Sequence, residues 1–497
     1  MTKLLAAIRK SPLVALAIVL AAVKSVQFAV DSTALFYFDS GAFILNALGL
    51  GFVPQRSYVY SCLIRFFAVP FHSLRAIVAM QVVMGAVTAG LLALALSRFL
   101  HVRTGIAVLA SLAFAIDPAQ IVHERMVMTE TATLLAMAVY LVGASAYLQR
   151  PDLWRLVVLS FIGVLLVSFR VVYLPVVLAG AVLLPAGVYL WPRASYQPRR
   201  SRGLALALVV SSLSTLGFQV AYRHWIGWLG HREPAYHFVT GFFMASAVAP
   251  IITPADAGDA RLARAVVEQN RSIDPLWKRD IGSAQLFDPE GLVARIRSVF
   301  GEDGAAANEA AQRLALHAIR RNPLGFLKLG VHGYLGYWRG LPKLRRILPR
   351  DNGSGPVREV FPQDIVMVRS AFGVDISNNN LIRTLSRRYQ FRARNWYVFL
   401  LASPFLGLID LLLVWREKKP AFLQRAFFVL WTWLLLATTC LEWPQAEYRY
   451  LHPFSFTGLA AAGCLAETLY RRISARLESN HVIMPVTSRS ADALSQG

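Results

Sequence analysis

Two groups of acidic residues stand beside long apolar segments, where a carboxylate is costly to place. Asp39 follows an apolar run near residues 11–30, and Glu124 and Glu130 lie between two further apolar runs. Ionisable groups at a membrane boundary are commonly kept for ions, substrates or catalysis. A carboxylate at such a place can act as a general base toward a hydroxyl group. These residues therefore suggest a membrane enzyme.

The elements that must position these acids are membrane helices. Hydrophobic residues make up 56% of the 497 residues, the mean hydropathy is +0.48, and only 16% of the residues are charged. Soluble domains carry about 25% charged residues. With roughly 20 apolar residues needed per crossing, we predict an all-α polytopic membrane protein with ten spans, near 11–30, 76–97, 104–121, 128–148, 154–169, 172–191, 204–224, 396–415, 421–440 and 451–470.

Basic residues in the short loops predict the orientation. Lys and Arg concentrate on the cytoplasmic side, and nearly all the Lys and Arg residues of the short loops fall on the same side as the two termini. We therefore predict an integral protein of a bacterial-type cytoplasmic membrane, with both termini cytoplasmic and the acidic groups facing the periplasm. A cleaved signal peptide is the alternative for the first span.

Between the seventh and eighth spans the sequence predicts an outer domain. Helical spacing of apolar residues at 258–272 and 304–321 makes this region mainly helical, and the aromatic stretch 324–340 is interpreted as an interfacial helix, with an eleventh span as the alternative. Residues 342–358 are expected to be irregular. The predicted division is 1–225 for the N-terminal transmembrane core, 226–394 for the extracytoplasmic domain, 395–476 for the C-terminal spans and 477–497 for a disordered cytoplasmic tail.

The net charge of +23 does not indicate nucleic acid, because its basic residues lie in membrane-flanking loops and in the outer domain. A basic surface above a bilayer suits anionic headgroups or a lipid-linked phosphate. The three cysteines, Cys62, Cys440 and Cys464, form neither a disulfide framework nor a metal-binding spacing.

The first outer loop resembles a known pattern. From Phe38 the chain reads FDSGAFILNALGL, and PQRSY follows at 54–58. This is similar to the first outer loop of the GT-C superfamily of polyprenyl-phosphate-dependent glycosyltransferases, in the group of the protein mannosyltransferases and aminoarabinose transferases. Asp39 and Phe43 occupy positions of that pattern, whereas Ser40 stands where protein mannosyltransferases commonly have a second acid.

Further stretches resemble segments of that group in the same order along the chain. They are FAIDPAQIVHERMVMTETATLL at 114–135 with Glu130 and Glu124, SFRVVYLPVVL at 168–178 with Arg170 and Pro175, and EYRYLHPFSF at 447–456 with Arg449, Tyr450 and Pro453.

The resemblance implies a GT-C-like helical bundle and an inverting transferase that moves a sugar from a polyprenyl-phosphate donor to an envelope lipid, glycan or protein. Asp39 is then the expected base, with Glu130 and Glu124 as further catalytic acids. Planar guanidinium groups bind phosphate oxygens in pairs, so Arg170 and Arg449, with Tyr450, are expected to bind the donor phosphate. His123 with Glu124 forms an alternative ligand pair for a divalent metal ion.

Two other functions compete with this interpretation. A transporter or flippase of lipid-linked glycans predicts charged residues near the middle of the spans and a repeated topology. A ligase or polymerase of O-antigen type shares outward arginines and a long outer loop, but it lacks the pattern around Asp39.

Overall fold

The computed structural model describes residues 12–37, 39–53, 56–190, 200–272, 281–340, 361–377, 394–415, 421–442 and 448–481. Apart from one isolated bridge between Leu35 and Met126, the regular structure of these residues is helical. The all-α prediction is therefore confirmed.

The first half of the chain forms ten helices within the described residues. They are α1 (Pro12–Val30), α2 (Ser40–Leu48), α3 (Tyr58–Phe67), α4 (Leu74–Leu94), α5 (Thr104–Ala115), α6 (Pro118–His123), α7 (Glu130–Gln149), α8 (Leu153–Phe169), α9 (Leu174–Leu190) and α10 (Arg200–Gly230).

The described residues of the second half form ten more. They are α11 (Thr240–Val248), α12 (Ala260–Ser272), α13 (Ile281–Phe287), α14 (Leu292–Phe300), α15 (Gly304–Arg321), α16 (Pro323–Gly340), α17 (Pro362–Phe372), α18 (Arg394–Val414), α19 (Phe422–Glu442) and α20 (Phe454–His481).

Seven helices of the described chain are long and apolar enough to cross a membrane: α1, α4, α7, α9, α10, α18 and α19. Each coincides with a predicted span. The other three predicted spans are also helical, as α5, α8 and the first part of α20, but α5 has only 12 residues. At about 1.5 Å per residue a helix of that length is too short to cross alone. The chain is an integral membrane protein.

A buried ion pair fixes one end of the C-terminal bundle. Nη1 of Arg425 lies 3.0 Å from both carboxylate oxygens of Asp410, and Arg425 Nη2 donates to the carbonyl oxygen of Leu100 at 3.1 Å. The Thr468 hydroxyl also donates to Asp410, at 2.6 Å. A buried charge needs this degree of pairing, so these contacts lock α18, α19 and α20 to the end of the α4 segment.

The segment predicted to form the extracytoplasmic domain has a separate hydrophobic cluster, built mainly from α11, α12, α14 and α15. The predicted helices at 258–272 and 304–321 correspond to α12 and α15, and α15 ends at Arg321, directly before Asn322 and Pro323. Arg321 donates to both carboxylate oxygens of Asp256, at 2.7 and 2.9 Å. The predicted boundary at 225/226 falls inside α10, which continues to Gly230.

The aromatic segment predicted at 324–340 is helix α16, and it packs along the spans. The Tyr334 hydroxyl donates to the carbonyl oxygen of Leu401 at 3.0 Å, and its ring lies 6.5 Å from that of Phe405. Both partners lie in the interior of α18. These contacts place α16 against α18, but α16 is not among the seven helices that are long and apolar enough to cross a membrane. The irregular segment predicted at 342–358 and most of the predicted tail lie outside the described residues, and α20 continues to residue 481.

Candidate active site

Asp39 directly precedes α2, but it does not cap that helix through its side chain. Its Oδ1 atom lies 2.5 Å from Nη2 of Arg56, and its Oδ2 atom lies 3.8 Å from Nη1 of Arg449. The Asp39 side chain is 16% exposed. The carboxylate is therefore held by two guanidinium groups, from the loop between α2 and α3 and from the segment before α20, and it remains accessible to a ligand.

A second acid and arginine pair lies at the starts of neighbouring spans. Glu130 is the first residue of α7, and its Oε1 atom lies 2.5 Å from Nη2 of Arg170. Arg170 has an extended backbone between the end of α8 and the start of the next helix. Pro175 sits in the first turn of α9, where the missing N–H of proline costs nothing. The two-residue gap predicted between the fifth and sixth spans is thus the turn that presents Arg170.

Tyr450 connects the two pairs. The guanidinium carbon of Arg170 lies 5.0 Å from the centre of the Tyr450 ring, and that of Arg449 lies 5.1 Å from the same centre. Arg449 also lies 5.0 Å from the centre of the Tyr37 ring and donates from Nη2 to the Tyr450 hydroxyl at 3.3 Å. Cation–π contacts hold a guanidinium plane in place while leaving its N–H groups available for other bonds.

The ion pairs of the cluster join three guanidinium groups to two carboxylates, and Glu442 also interacts electrostatically with Arg170. Its guanidinium groups belong to Arg56, Arg170 and Arg449, and its carboxylates to Asp39 and Glu130. The second oxygen of Glu130 has no hydrogen-bond partner within the described part of the chain. An arrangement of this kind can bind one anionic group and still offer a carboxylate to a hydroxyl.

His123 lies behind this cluster and is almost fully buried. Its ring is 4.3 Å from that of His452, and neither of its ring nitrogens has a hydrogen-bond partner among the described residues. Burial lowers the pKa of His123 to about 4, and the charges of Arg170 and Arg449 lower it further against the opposite effect of Glu130. The imidazole is therefore neutral at pH 7.

Glu124 faces a different network from Glu130. Its Oε1 atom accepts hydrogen bonds from Lys24 in α1 at 2.7 Å and from Gln120 at 2.8 Å, and all of its side chain is buried. Gly85 makes room for it, since a Cβ atom there would overlap with the Glu124 carboxylate. Gln120 also contacts His452 Nε2 at 2.6 Å through its side-chain oxygen. Glu124 is thus linked to the site through Gln120 and His452, and it is not part of the arginine cluster.

The donor set does not fit a divalent metal ion at His123 and Glu124. Within the described ranges, no group of three or more His, Cys, Asp or Glu side chains is placed to hold a metal. The ammonium group of Lys24 already occupies the Glu124 carboxylate and would repel a second cation.

The cluster brings together Asp39, Glu130, Arg170, Arg449 and Tyr450, the residues that the sequence nominated, and sets Glu124 apart. Sequence reasoning missed the role of Arg56, although it quoted the segment 54–58. Arg56 directly precedes Ser57, which caps α3 by accepting from the Tyr60 N–H. Because α3 begins two residues after Arg56, the helix start fixes the backbone at Arg56. The capping serine at position 57 was the feature of the sequence that could have indicated this.

No family model and no curated protein matches this chain. A search of solved structures finds the crystal structure of ArnT from Cupriavidus metallidurans bound to undecaprenyl phosphate, with 12% sequence identity and a TM-score of 0.35 over 94% of this chain and 80% of that chain. This degree of likeness is too low to transfer residues or roles, so the assignments below depend on the contacts of this chain.

Proposed function

We propose that this protein is an inverting glycosyltransferase that moves a sugar from a polyprenyl-phosphate carrier to a hydroxyl group of an envelope lipid, glycan or protein. The observation that carries the proposal is the cluster of three arginines and two acids. Its members come from the first outer loop, the start of α7, the turn between α8 and α9, and the segment before α20. Segments so distant in the chain meet at a single place that can hold an anion beside a carboxylate.

The chemistry of transfer needs both halves of this cluster. The acceptor oxygen forms a bond to C1 of the sugar while the bond from C1 to the phosphate oxygen breaks, and the polyprenyl phosphate leaves with the electron pair. A single displacement of this kind inverts the configuration at C1. Negative charge develops on the departing phosphate, so donors placed around it stabilise the transition state more than the ground state.

The contacts support a distinct role for each residue. Arg170 and Arg449 bind the donor phosphate, with Tyr450 holding both guanidinium groups, and Glu130 orients Arg170. Asp39 accepts the proton of the acceptor hydroxyl, and Arg56 fixes the direction of its carboxylate. The Lys24 contact of Glu124 supports a positioning role for that acid instead of proton transfer.

The outward orientation follows from the charge distribution of the loops and belongs to this proposal. The proposed site faces the periplasm, where the acceptor reaches it from the side of the outer domain. The polyprenyl chain of the donor then lies in the bilayer against the spans.

The proposal is tested in liposomes that contain the purified protein, a set of labelled polyprenyl-phosphate sugars and an envelope extract. Covalent transfer of label to a component of the extract is expected, with mass spectrometry identifying the product. Asp39→Asn should abolish most of this transfer, and Asp375→Asn, which changes an exposed acid outside the cluster, should leave it unchanged. Movement of the lipid-linked sugar across the bilayer without any transfer would instead establish the flippase function.

A further inference from the structure

A third acid approaches the candidate active site from the segment that precedes the last spans. Helix α17 docks on the main hydrophobic core through Val368 and Phe372, both buried, and Ile376 just beyond it is buried as well. The ring nitrogen Nδ1 of His72 lies 3.1 Å from the carbonyl oxygen of Ala371. These contacts define how α17 sits against the first outer loop.

In this position, α17 places the carboxylate of Asp364 against the first turn of α2. A Cβ atom on Gly41 would overlap with the Asp364 carboxylate, so a larger residue at that position would have to displace this carboxylate. Gly41 is two residues after Asp39, and with consecutive Cα atoms about 3.8 Å apart their Cα atoms are separated by at most about 7.6 Å. Asp364 therefore contacts the start of α2 within two residues of the acid proposed as the base.

Nothing in the described part of the chain uses the Asp364 carboxylate. It forms no hydrogen bond or ion pair there, in contrast to Asp39, Glu124 and Glu130. The side chain is partly buried, and burial raises the pKa of Asp364. A half-buried carboxylate without a partner is costly, and a ligand that donates hydrogen bonds would remove this cost.

We propose that Asp364 binds the acceptor by accepting a hydrogen bond from a second donor group, a hydroxyl or an ammonium, next to the hydroxyl that is glycosylated. This inference rests on the proposed transferase function and names the acceptor side of that site. It selects acceptors with neighbouring hydroxyl or amino groups. Direct contact between Asp364 and a phosphate is not expected, because the two negative charges repel each other.

The test measures transfer against increasing amounts of donor and, separately, of envelope extract. For Asp364→Asn we expect the half-saturating amount of extract to rise about tenfold, the range for one hydrogen bond to a charged group, with the half-saturating donor concentration unchanged. Asp375→Asn, an exposed acid just beyond α17, is the matched control and should behave as wild type. If the wild type transfers sugar and Asp364→Asn has the same half-saturating amount of extract as the wild type, this inference is wrong and the proposed function stands. If the wild type transfers no sugar, the proposed function itself is wrong.

A second variant separates binding from folding. Gly41→Ala should displace Asp364 and raise the requirement for extract as Asp364→Ala does. If the effect of Gly41→Ala acts through Asp364, it should be largely lost in the Asp364→Ala background. Equal effects of Gly41→Ala in both backgrounds would show that the glycine acts on α2 alone and would contradict the proposal.

Discussion

Arg56 Nη2 lies 2.5 Å from Oδ1 of Asp39, so the acid proposed as the base is held by an arginine that lies just beyond the helix Asp39 precedes. Asp39→Asn keeps the shape of the side chain but removes the proton acceptor. We expect kcat to fall about 100-fold to 10,000-fold, the usual contribution of general base catalysis. Single-turnover transfer of labelled sugar measures this loss.

Arg56→Gln should have a smaller effect, because Arg449 still lies near Asp39. If Arg56 acts only by orienting Asp39, the double variant Arg56→Gln/Asp39→Asn should be no slower than Asp39→Asn alone. Independent, multiplying losses in the double variant would show that Arg56 contacts the substrates directly.

Arg170 is expected to act on the donor. Arg170→Gln should raise the half-saturating donor concentration about 10-fold to 100-fold, since a hydrogen bond to a charged group contributes about 1.5–3 kcal/mol. Arg170→Lys should recover only part of this, because an ammonium cannot form the paired hydrogen bonds of a guanidinium. Donor titration at saturating acceptor makes the measurement, and a wild-type donor requirement in Arg170→Gln would contradict the assignment.

Lys24 and Glu124 should behave as a structural pair. Both side chains are almost fully buried, at 3% and 0% exposure, and removing one partner of such a pair costs about 3–5 kcal/mol. Lys24→Met should therefore lower the melting temperature strongly, and Lys24→Met/Glu124→Gln should recover much of the loss. If the double variant is stable and still lacks transfer activity, Glu124 takes part in the chemistry after all.

The buried His123 predicts that stability is lost at acid pH. Its pKa is about 4 in the folded protein and about 6.5 in an unfolded chain, so between these values the unfolded state binds the extra proton. Stability is thus fully present above about pH 6.5 and falls by at most about 1.4 kcal/mol per pH unit as the pH decreases toward 4. Melting temperatures in detergent at pH 7 and 5 should differ less in His123→Gln than in the wild type.

The control for this experiment is His224→Gln, which changes an exposed histidine on α10. It should retain the pH dependence of the wild type. An identical pH dependence in His123→Gln and the wild type would show that His123 takes up a proton without unfolding.

Three residues predicted to form the site lie close together in the structure. Asp39, Arg170 and Arg449 were nominated from their place beside apolar runs and from the order of short motifs, and the structure brings all three into one cluster. Glu124 and Glu130 could not be separated in this way, because both stand in the same short outer segment. Only the packing shows that one meets Lys24 and the other meets Arg170.

The sequence by itself determined the class of the molecule. Apolar runs of the length of a bilayer specify membrane helices because backbone polar groups in lipid must be satisfied within the segment, and basic loops indicate the orientation. The tertiary structure decided which charges meet. The pairing of Arg56 with Asp39, the burial of Lys24 against Glu124 and the approach of Asp364 to Gly41 depend on how helices far apart in the chain pack together. No local pattern encodes those distances.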